Sequence, residues 1–359
     1  MKPRVLFVAR DRYYLPLSPS RARKFDALSE LLDVRMLAVG TGSGDDRFTL
    51  LPMLPRLDGP AYWSLLPALL ALEARRFRPA AVVAHRPFEG AVAVTARVSA
   101  PVVVELHGDW RTFARLYGWP LRRVVAAPLD RVGAWAARHA AAVRTVSDYT
   151  TALAREVGVE PAATFPAFMD LEPFLLPRRP LPESPSALFV GVLDPYKNID
   201  ALAAGWRLVR ERLPDTRLRI VGSGSRATVV EALVRAGLAT WDRALPTDEV
   251  ARAMDDASVV VLPSRSEGMG RVVVEALLRG RPVVGSNLGG IRGPVRDSMN
   301  ALLVEPAPQA IAAGLTRALS DRALLEGLAA AAPASAGPWL ATPEEYARRT
   351  AELVERVAA

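Results

Sequence analysis

The stretch ASVVVLPSRSEGMGRVVVEALLRGRPVVGSNLGG, residues 257–290, contains a strand, a turn with glycines, a helix and a second strand in succession. The run Val259–Leu262 is β-branched and apolar, which is typical of a strand buried on both faces, and Pro263 ends it. Apolar residues then recur at helical spacing until Gly280, where a left-handed residue suits a helix C-terminus. The strand Val283–Val284 follows. The stretch is therefore predicted to be a βαβ crossover in a parallel sheet.

The loop between the first strand and the helix carries groups that suit a ligand. It follows the carboxyl end of a parallel strand and leads into a helix N-terminus, and both places bind phosphate groups in α/β proteins. Gly268 and Gly270 let the backbone approach a ligand closely. The carboxylates of Glu267 and Glu275 can accept hydrogen bonds from sugar hydroxyls. An ordinary crossover with solvated acids is the alternative, which the spacing alone leaves open.

The composition predicts a well-packed globular protein of about two domains. The chain has 359 residues, of which 50% are hydrophobic, and it has no cysteine, which excludes disulfides and cysteine-ligated metals. The apolar run Val5–Ala9 is too short for a signal peptide. No stretch approaches the ~20 apolar residues that a membrane-spanning helix needs. We therefore expect a cytoplasmic protein.

The positive charge is concentrated in the first half of the chain. The net charge is +8, and residues 1–180 carry 25 Lys and Arg against 17 Asp and Glu, while residues 181–359 are balanced. No helix-turn-helix, zinc-finger or aromatic-platform pattern accompanies this charge, so nucleic acid is not the expected partner. Residues 61–78 and 110–138 combine aromatic, leucine and arginine side chains, which suits peripheral contact with an anionic inner membrane face. The alternative is that these helices cover their own sheet.

Strands and helices alternate twice along the chain, which predicts two doubly wound α/β domains of the Rossmann-like class. The first set of predicted strands is Val5–Ala9, Val34–Val39, Ala81–Ala84, Val102–Leu106 and Val143–Val146. The second set is Leu188–Val192, Leu218–Val221, Val259–Leu262, Val283–Val284 and Leu302–Val304. A ligand with two different ends would fit a cleft between two such domains.

Prolines crowd the segment between the two sets and predict a stiff linker over residues 173–186. The predicted domains are therefore residues 1–172 and 187–338. A helix that begins after Thr342 as its cap is predicted within residues 339–359. Because it follows the last strand of the second domain, it is free to pack elsewhere, and we expect it to pack back on the first domain.

Four segments in order resemble the retaining glycosyltransferases of family 4, which have the GT-B fold. Residues 191–198, GVLDPYKN, are similar to the family's phosphate segment with its glycine and lysine, and residues 218–224, LRIVGSG, to its strand and glycine turn. Residues 267–275 resemble its Glu-x7-Glu motif, and residues 282–290 the segment that follows. The resemblance covers most of the chain and implies two Rossmann-like domains that face a cleft.

The resemblance also implies roles for residues on the donor side. Lys197 would bind the donor diphosphate, Glu267 the donor sugar hydroxyls and Glu275 the nucleotide ribose. An unpartnered surface lysine is the alternative for Lys197. The donor-binding set further includes N–H groups at the helix N-terminus and glycines that keep the turns small, namely Gly191, Gly222, Gly268, Met269, Gly270 and Arg271. Choice of base would depend on backbone near residues 240–245.

In the first domain, the segment ELHGD at residues 105–109 resembles the family's histidine segment. His107 would hydrogen-bond the sugar or the leaving phosphate, and it completes the implied catalytic set with Lys197 and Glu267. His85 also follows a strand, and a structural role is favoured for it. Ser147 is interpreted as the cap of the helix that follows it.

The chain departs from the family pattern at two places. Val192 stands where the family usually has an arginine, and the first strand is followed by Arg10-Asp11-Arg12 in place of a glycine pair. We therefore consider further side chains as contacts for the diphosphate or the acceptor, namely Arg10, Arg12, Arg21 and Asp109.

The chain has no Asp-x-Asp motif and no histidine or cysteine cluster along the sequence, so no metal and no cofactor is expected besides the nucleotide sugar as co-substrate. The resemblance implies transfer of a hexose-type sugar with retention of configuration to an acceptor hydroxyl. A protein that binds a sugar nucleotide, or acts as a scaffold, with weak turnover is the alternative. A sugar-nucleotide epimerase fits the Glu-x7-Glu motif less well.

Overall fold

A computed structural model describes residues 2–53, 58–96, 98–116 and 122–359. The chain divides into two compact units. One is built from Met1–Ala114, Leu121–Asp170 and Ala341–Ala359, and the other is built on Leu171–Leu340.

Within the described residues, the first unit contains a seven-stranded sheet whose strands all pair in parallel. The strands are β1 (Arg4–Tyr14), β2 (Asp33–Thr41), β3 (Phe48–Pro52), β4 (Ala81–Ala84), β5 (Val102–Leu106), β6 (Ala142–Thr145) and β7 (Ala163–Thr164). Their order across the sheet is β3-β2-β1-β4-β5-β6-β7. The helices are α1 (Pro19–Leu31), α2 (Asp58–Phe77), α3 (Pro87–Thr95), α4 (Thr112–Leu116), α5 (Arg122–His139) and α6 (Asp148–Glu156).

Both faces of this sheet are buried, as the apolar runs predict. Successive residues of β1 point to opposite faces, so Phe7 joins a core cluster with Leu28 of α1, whereas Val8 joins a second cluster with Leu66 of α2. Ser147 caps α6 by accepting a hydrogen bond from the Thr150 N–H, which confirms its interpretation as a helix cap.

The second unit contains a six-stranded parallel sheet. The strands are β8 (Ser186–Val190), β9 (Arg217–Val221), β10 (Thr240–Asp242), β11 (Val259–Leu262), β12 (Val283–Ser286) and β13 (Ala301–Val304), in the order β10-β9-β8-β11-β12-β13. The helices are α7 (Glu172–Leu175), α8 (Ile199–Arg212), α9 (Ala227–Arg235), α10 (Thr247–Asp255), α11 (Arg271–Leu278), α12 (Pro308–Ser320) and α13 (Arg322–Ala336). The predicted βαβ crossover is β11-α11-β12, and Gly280 has the left-handed conformation expected for it.

The last helix, α14 (Pro343–Ala358), belongs to the first unit. Thr342 caps it by accepting a hydrogen bond from the Glu345 N–H at 3.2 Å. Its residues Tyr346 and Val354 are buried in the same core cluster as Phe7. The helix therefore returns to the first domain, as predicted, because its apolar face completes the core on one face of that sheet.

Several strands differ from the sequence prediction. β1 was expected to end at Ala9, where charged residues return, but it continues to Tyr14 because Arg12–Tyr14 pair with Val39–Thr41 after a shift in register. The strands β3, β7 and β10 were missed. Each lies at or near an edge of its sheet and is short or polar, so it has weak periodicity.

The predicted linker is fixed to the second unit by two buried arginines. It begins in the short helix α7 and then runs without regular structure to β8. The Arg279 guanidinium donates to the carbonyl of Leu176 at 2.6 Å, and the Arg281 guanidinium donates to that of Pro180 at 2.9 Å. The prolines disfavour a strand here, because proline has no N–H to donate to a sheet. The carbonyls of the segment therefore have no partners in a sheet, and the two arginines donate hydrogen bonds to them instead.

Asp255 holds both arginines in place. Its carboxylate is 3.0 Å from Nε of Arg279, and its backbone carbonyl accepts from Nη2 of Arg281 at 2.8 Å. All three side chains are almost completely buried. The proline-rich segment therefore depends on a buried ion pair.

None of the helices in the described part of the chain is both long and apolar enough to cross a bilayer.

We predict that Asp255→Asn lowers the free energy of unfolding by about 3–5 kcal/mol, because it leaves a buried guanidinium without its counter-charge. The matched control is Asp256→Asn, since the next carboxylate along the chain is 58% exposed and pairs with Arg179 at 3.5 Å. This control should change stability by less than about 0.5 kcal/mol. Urea unfolding followed by circular dichroism measures both, and equal stabilities of the two variants would contradict the prediction.

Candidate functional site

Two glycines allow the turns after β8 and β9 to touch. Gly191 has φ +154° and Gly222 has φ +137°, a region that side chains disfavour. A Cβ on Gly222 would lie 1.9 Å from the carbonyl oxygen of Gly191. Beyond this contact, the Leu193 N–H donates to the Ser223 carbonyl at 2.9 Å. Gly222 thus has the role of keeping the turn small, and its nearness to a nucleotide stays a prediction.

The loops after β11 and β12 meet in the same way. A Cβ on Gly290 would lie 2.1 Å from the carbonyl oxygen of Gly268, and the Gly290 N–H donates to the Glu267 carbonyl at 2.8 Å. Gly270 has φ +67° and directly precedes α11. The predicted loop is therefore a closely packed backbone segment that ends at a helix N-terminus, where N–H groups lack intrahelical acceptors.

Lys197 lies at the centre of these loops. Its side chain is 10% exposed, and its ammonium nitrogen is 2.5 Å from Oε1 of Glu267. Its stem passes Gly191, since a Cβ there would lie 3.5 Å from Lys197 Cε. The nitrogen also lies 5.1 Å from the centroid of the Tyr196 ring. The alternative of an unpartnered surface lysine is therefore wrong, and the fold brings together Gly191, Lys197 and Glu267.

The remaining donor-side residues lie along α11. Arg271 is exposed in the first turn, whereas Glu275 is 8% exposed in the second. Met269 is buried just before the helix. Val192, which stands where the related family has an arginine, is 46% exposed and offers no charge. The structure thus places the predicted residues at one edge of the sheet, while their contacts with a donor stay predictions.

Two serines at this edge were not found from the sequence. Ser264 follows β11, and Ser286 is the last residue of β12. Each hydroxyl is buried and lacks a hydrogen-bond partner among the described residues. A serine beside a proline or an asparagine carries no special sequence signal, so only their burial distinguishes them.

In the first unit, a buried carboxylate organises the residues that follow β4, β5 and β6. Glu105 is 3% exposed, and its Oε1 accepts from Arg144 at 2.5 Å. Its Oε2 lies 2.9 Å from Nε2 of His107 and 3.6 Å from Nε2 of His85. Burial alone would raise the pKa of Glu105, but Arg144 and the histidines hold this pKa well below its ordinary value.

Arg144 is itself held within the fold by carbonyls and an aromatic ring. Its guanidinium donates to the carbonyls of Phe165 and Pro166 at 2.9 and 2.8 Å, and its Cζ lies 3.8 Å from the Phe165 ring centroid. The sequence showed only an arginine in a short strand. Its role follows from the pairing of β5 with β6, which sets Glu105 opposite Arg144.

His107 and His85 differ in exposure. The side chain of His107 is 32% exposed and that of His85 is 7% exposed. Partial burial lowers the pKa of His107 below its ordinary value, against the opposite effect of Glu105, so the ring is neutral near pH 7. The expectation of no histidine cluster is wrong for the folded chain, since one ligand-type atom from each of His85, Glu105 and His107 lies within 4.8 Å of the others.

The three arginines considered as diphosphate contacts take part in hydrogen bonds near the end of β1, two of them through their backbone. Arg10 donates its backbone N–H to Glu89 Oε1 at 3.1 Å. The Arg21 guanidinium donates to the carbonyl of Arg12 at 2.6 Å and lies 4.6 Å from the Tyr13 ring centroid. Arg21 thus holds the end of β1, and any contact of these arginines with a ligand stays a prediction.

Asp109 begins the segment that leads into α4. Its carboxylate accepts from Nε of Arg111 at 2.8 Å and from the Arg111 N–H at 3.0 Å. The Asp109 carbonyl also accepts from the Thr112 N–H. These hydrogen bonds belong to a local turn, which fixes the position of Asp109. Its contact with an acceptor stays a prediction.

The two segments considered for membrane contact cover their own sheet along much of their length. In residues 61–78, α2 buries Tyr62, Leu66 and Leu70 in the core, and α5 buries Ala134 and Ala137. Exposed apolar side chains remain on both helices, namely Leu65, Leu72, Val124 and Val132. Residues 117–121 of the second segment lie outside the described residues.

Family models match both units. Residues 22–166 match the model described as "Glycosyl transferase 4-like domain", and residues 184–321 match the model described as "Glycosyl transferases group 1". Each unit is therefore similar to a glycosyltransferase domain over the matched residues.

Curated relatives share sequence with part of the chain. "Sulfoquinovosyl transferase SQD2" of Arabidopsis thaliana is 28% identical over 249 residues, which are 64% of this chain and 48% of the relative. "D-inositol 3-phosphate glycosyltransferase" of Streptomyces griseus is 37% identical over 163 residues, which are 42% of this chain and 34% of the relative. The chain spans about half the length of these relatives, or less.

The fold is also similar to that of solved glycosyltransferases. Sucrose-phosphate synthase from Thermosynechococcus elongatus superposes with a TM-score of 0.79 over 99% of both chains, at 18% identity. At that identity the likeness is one of fold. The chain thus has the GT-B fold of two Rossmann-like domains, as predicted from the sequence.

We predict that Gly222→Ala costs more stability than Gly237→Ala. Both glycines have positive φ, so each alanine should cost about 1–2 kcal/mol of backbone strain. A Cβ at Gly237 meets open space, whereas one at Gly222 also clashes with the Gly191 carbonyl, and the cost there should be at least about twice as large. Urea unfolding compares the two variants, and equal costs would show that the close approach does not matter.

Proposed function

We propose that this chain is a retaining glycosyltransferase of family 4 that transfers a hexose-type sugar from a nucleotide diphosphate sugar to an acceptor hydroxyl. The single observation that carries the proposal is the Lys197–Glu267 pair, which lies between glycine turns at the carboxyl edge of the second sheet. This edge is where α/β sheets bind nucleotides. The two glycosyltransferase domain matches support the same class of reaction.

Lys197 would bind the donor diphosphate. A buried ammonium is a compact charge that stabilises the growing negative charge on a leaving phosphate. Glu267 holds the ammonium with Oε1, and a carboxylate has a second oxygen that can accept from a sugar hydroxyl. The pair thus sets the diphosphate and the sugar at adjacent positions.

The start of α11 would bind the remaining donor groups. Its first N–H groups, with the positive end of the helix dipole, suit a phosphate or sugar oxygen. Glu275 in the next turn would accept hydrogen bonds from the ribose hydroxyls. Since Glu275 is buried, a ribose that reaches it is well shielded from water, which strengthens these bonds.

The proposed reaction needs no protein nucleophile. The bond from the anomeric carbon to the diphosphate oxygen breaks, and the acceptor oxygen bonds to that carbon on the same face. Attack on that face retains the configuration. The acceptor proton passes to the departing phosphate oxygen, which balances the charge. Lys197 offsets the phosphate charge without a divalent cation, and a transfer rate that requires added Mg²⁺ would contradict this part of the proposal.

The first unit would supply contacts to the acceptor or the sugar. His107, neutral near pH 7, can donate or accept one hydrogen bond with the ring nitrogen that does not face Glu105. We further propose a cytoplasmic protein that contacts an anionic membrane surface through the basic first half and takes a lipid-linked, glycan or small-molecule acceptor. Liposome binding that does not depend on anionic lipid would exclude the membrane contact.

A sugar-nucleotide-binding or scaffold protein with weak turnover is the second candidate. The exposed Val192 favours it, because an expected positive charge is absent beside the proposed diphosphate site. Both candidate proteins would bind the nucleotide sugar. They differ in how fast they transfer the sugar.

We predict that Lys197→Ala lowers kcat for sugar transfer or donor hydrolysis by about 100-fold or more, since it removes the charge that stabilises the leaving group. The matched control is Lys2→Ala, because Lys2 is exposed and its ammonium donates only to the Ser29 carbonyl among the described residues. The assay detects products from a panel of nucleotide sugars by mass spectrometry. Full activity of Lys197→Ala would exclude the proposed mechanism, and no product from wild-type protein would favour the second candidate.

We predict that one class of nucleotide sugar, with GDP, UDP or ADP, raises the melting temperature of the wild-type protein, since a ligand that binds only the folded state stabilises it. Glu275→Gln should lose most of this shift because a ribose acceptor has lost its charge. Glu326→Gln, which changes a carboxylate 58% exposed on α13, should keep the shift. A shift of equal size in both variants would show that Glu275 does not bind the donor.

A further inference from the structure

We propose that His85, Glu105 and His107 of the first unit bind one divalent transition-metal ion of the Zn²⁺ class. The three residues come from β5 and from the ends of β4 and β5, so parallel pairing sets them side by side. Their ligand atoms, one from each residue, lie within 4.8 Å of one another. Two imidazoles and one carboxylate form a common set of zinc ligands, with a fourth position for water.

The spacing of the ligand atoms fits such an ion. Oε2 of Glu105 lies 2.9 Å from Nε2 of His107 and 3.6 Å from Nε2 of His85. Tetrahedral zinc with bonds of about 2.0–2.1 Å sets neighbouring ligand atoms about 3.3 Å apart. The two measured separations lie on either side of that value, so small side-chain movements would complete the site.

His85 gives a second, independent indication of a ligand. Its side chain is 7% exposed, and its Nε2 has no hydrogen-bond partner within the ranges that the structure describes. Buried polar atoms without partners are rare. This nitrogen of His85 lies 3.6 Å from Oε2 of Glu105. The other nitrogen, Nδ1, is 3.6 Å from Oδ2 of Asp11. A carboxylate on the far side of a histidine is the usual arrangement that orients a metal ligand.

Two carboxylates and two arginines surround the cluster. Arg144 donates to Oε1 of Glu105, so Oε2 is the oxygen of this carboxylate that remains for the ion. Asp11 adds a second carboxylate, whose Oδ1 accepts from Arg86 at 2.9 Å. His107 is 32% exposed, so an ion can reach the cluster from solvent.

The three proposed ligands belong to the first unit, whereas Lys197 and Glu267 belong to the second unit. A bound ion would take Nε2 of His107 and would leave Nδ1 for other contacts. Binding is measured without a nucleotide sugar, so this inference and the proposed function can fail independently. If the cluster holds only hydrogen bonds, Glu105 accepts from both histidines and no ion binds.

The test is a titration of the chelator-treated full chain with Co²⁺, followed by the visible absorption bands of four-coordinate cobalt. We expect one Co²⁺ per chain, displaced by an equal amount of Zn²⁺. His85→Gln and Glu105→Gln each remove a ligand and should weaken binding by at least about tenfold, and Asp11→Asn should weaken it by about tenfold through the orientation of His85.

The matched control is His139→Gln, which changes the remaining histidine of the chain, located on α5. His139 faces the Trp135 carbonyl and should not affect Co²⁺ binding. Circular dichroism checks that each variant is folded. If a ligand variant fails to fold, Asp11→Asn still tests the site, because it leaves all three ligands in place. Absence of the cobalt bands, unchanged binding in His85→Gln, or lost binding in His139→Gln would each overturn the proposal.

Discussion

Parallel pairing of strands that are buried on both faces is the constraint on which this structure depends. Such strands carry apolar side chains above and below the sheet, so polar groups collect where the strands end. In the first unit these ends supply His85, Glu105 and His107, and in the second they lead to Lys197 and Glu267. The chemistry of both units is therefore found at the carboxyl edges of their sheets.

Three buried ion pairs among the described residues hold charged side chains in fixed positions. Arg144 pairs with Glu105, Arg279 with Asp255, and Lys197 with Glu267. A buried charge without a partner is costly, so these pairs fix the positions of their side chains more strongly than exposed pairs do. The first and third pairs lie at candidate sites, whereas the second anchors the proline-rich linker. Similar pairs thus occur both at the candidate sites and in a structural contact, and burial alone does not tell them apart.

The glycines of the proposed donor site let neighbouring backbone segments approach each other closely. Gly222 and Gly290 each bring their own backbone within contact of a neighbouring carbonyl, which tightens the loops around Lys197. The same closeness leaves backbone N–H groups at the start of α11 available to a phosphate oxygen. A compact loop is therefore part of the proposed donor site, since its shape sets where a diphosphate can lie.

The sequence by itself determined the class of fold, the βαβ crossover at residues 257–290, the caps Ser147 and Thr342, and the residues of the proposed donor site. The first three features depend on local periodicity, proline and glycine, which a chain shows without its tertiary contacts. The residues of the proposed donor site come from the resemblance to family 4. The edge strands β3 and β10 were missed because short, partly polar strands have weak periodicity. Tertiary structure alone decided that Lys197 meets Glu267, that Arg279 and Arg281 hold the linker, and that His85 joins Glu105 and His107. Those partners are far apart in the chain or in separate strands, and only the order of strands in each sheet brings them together.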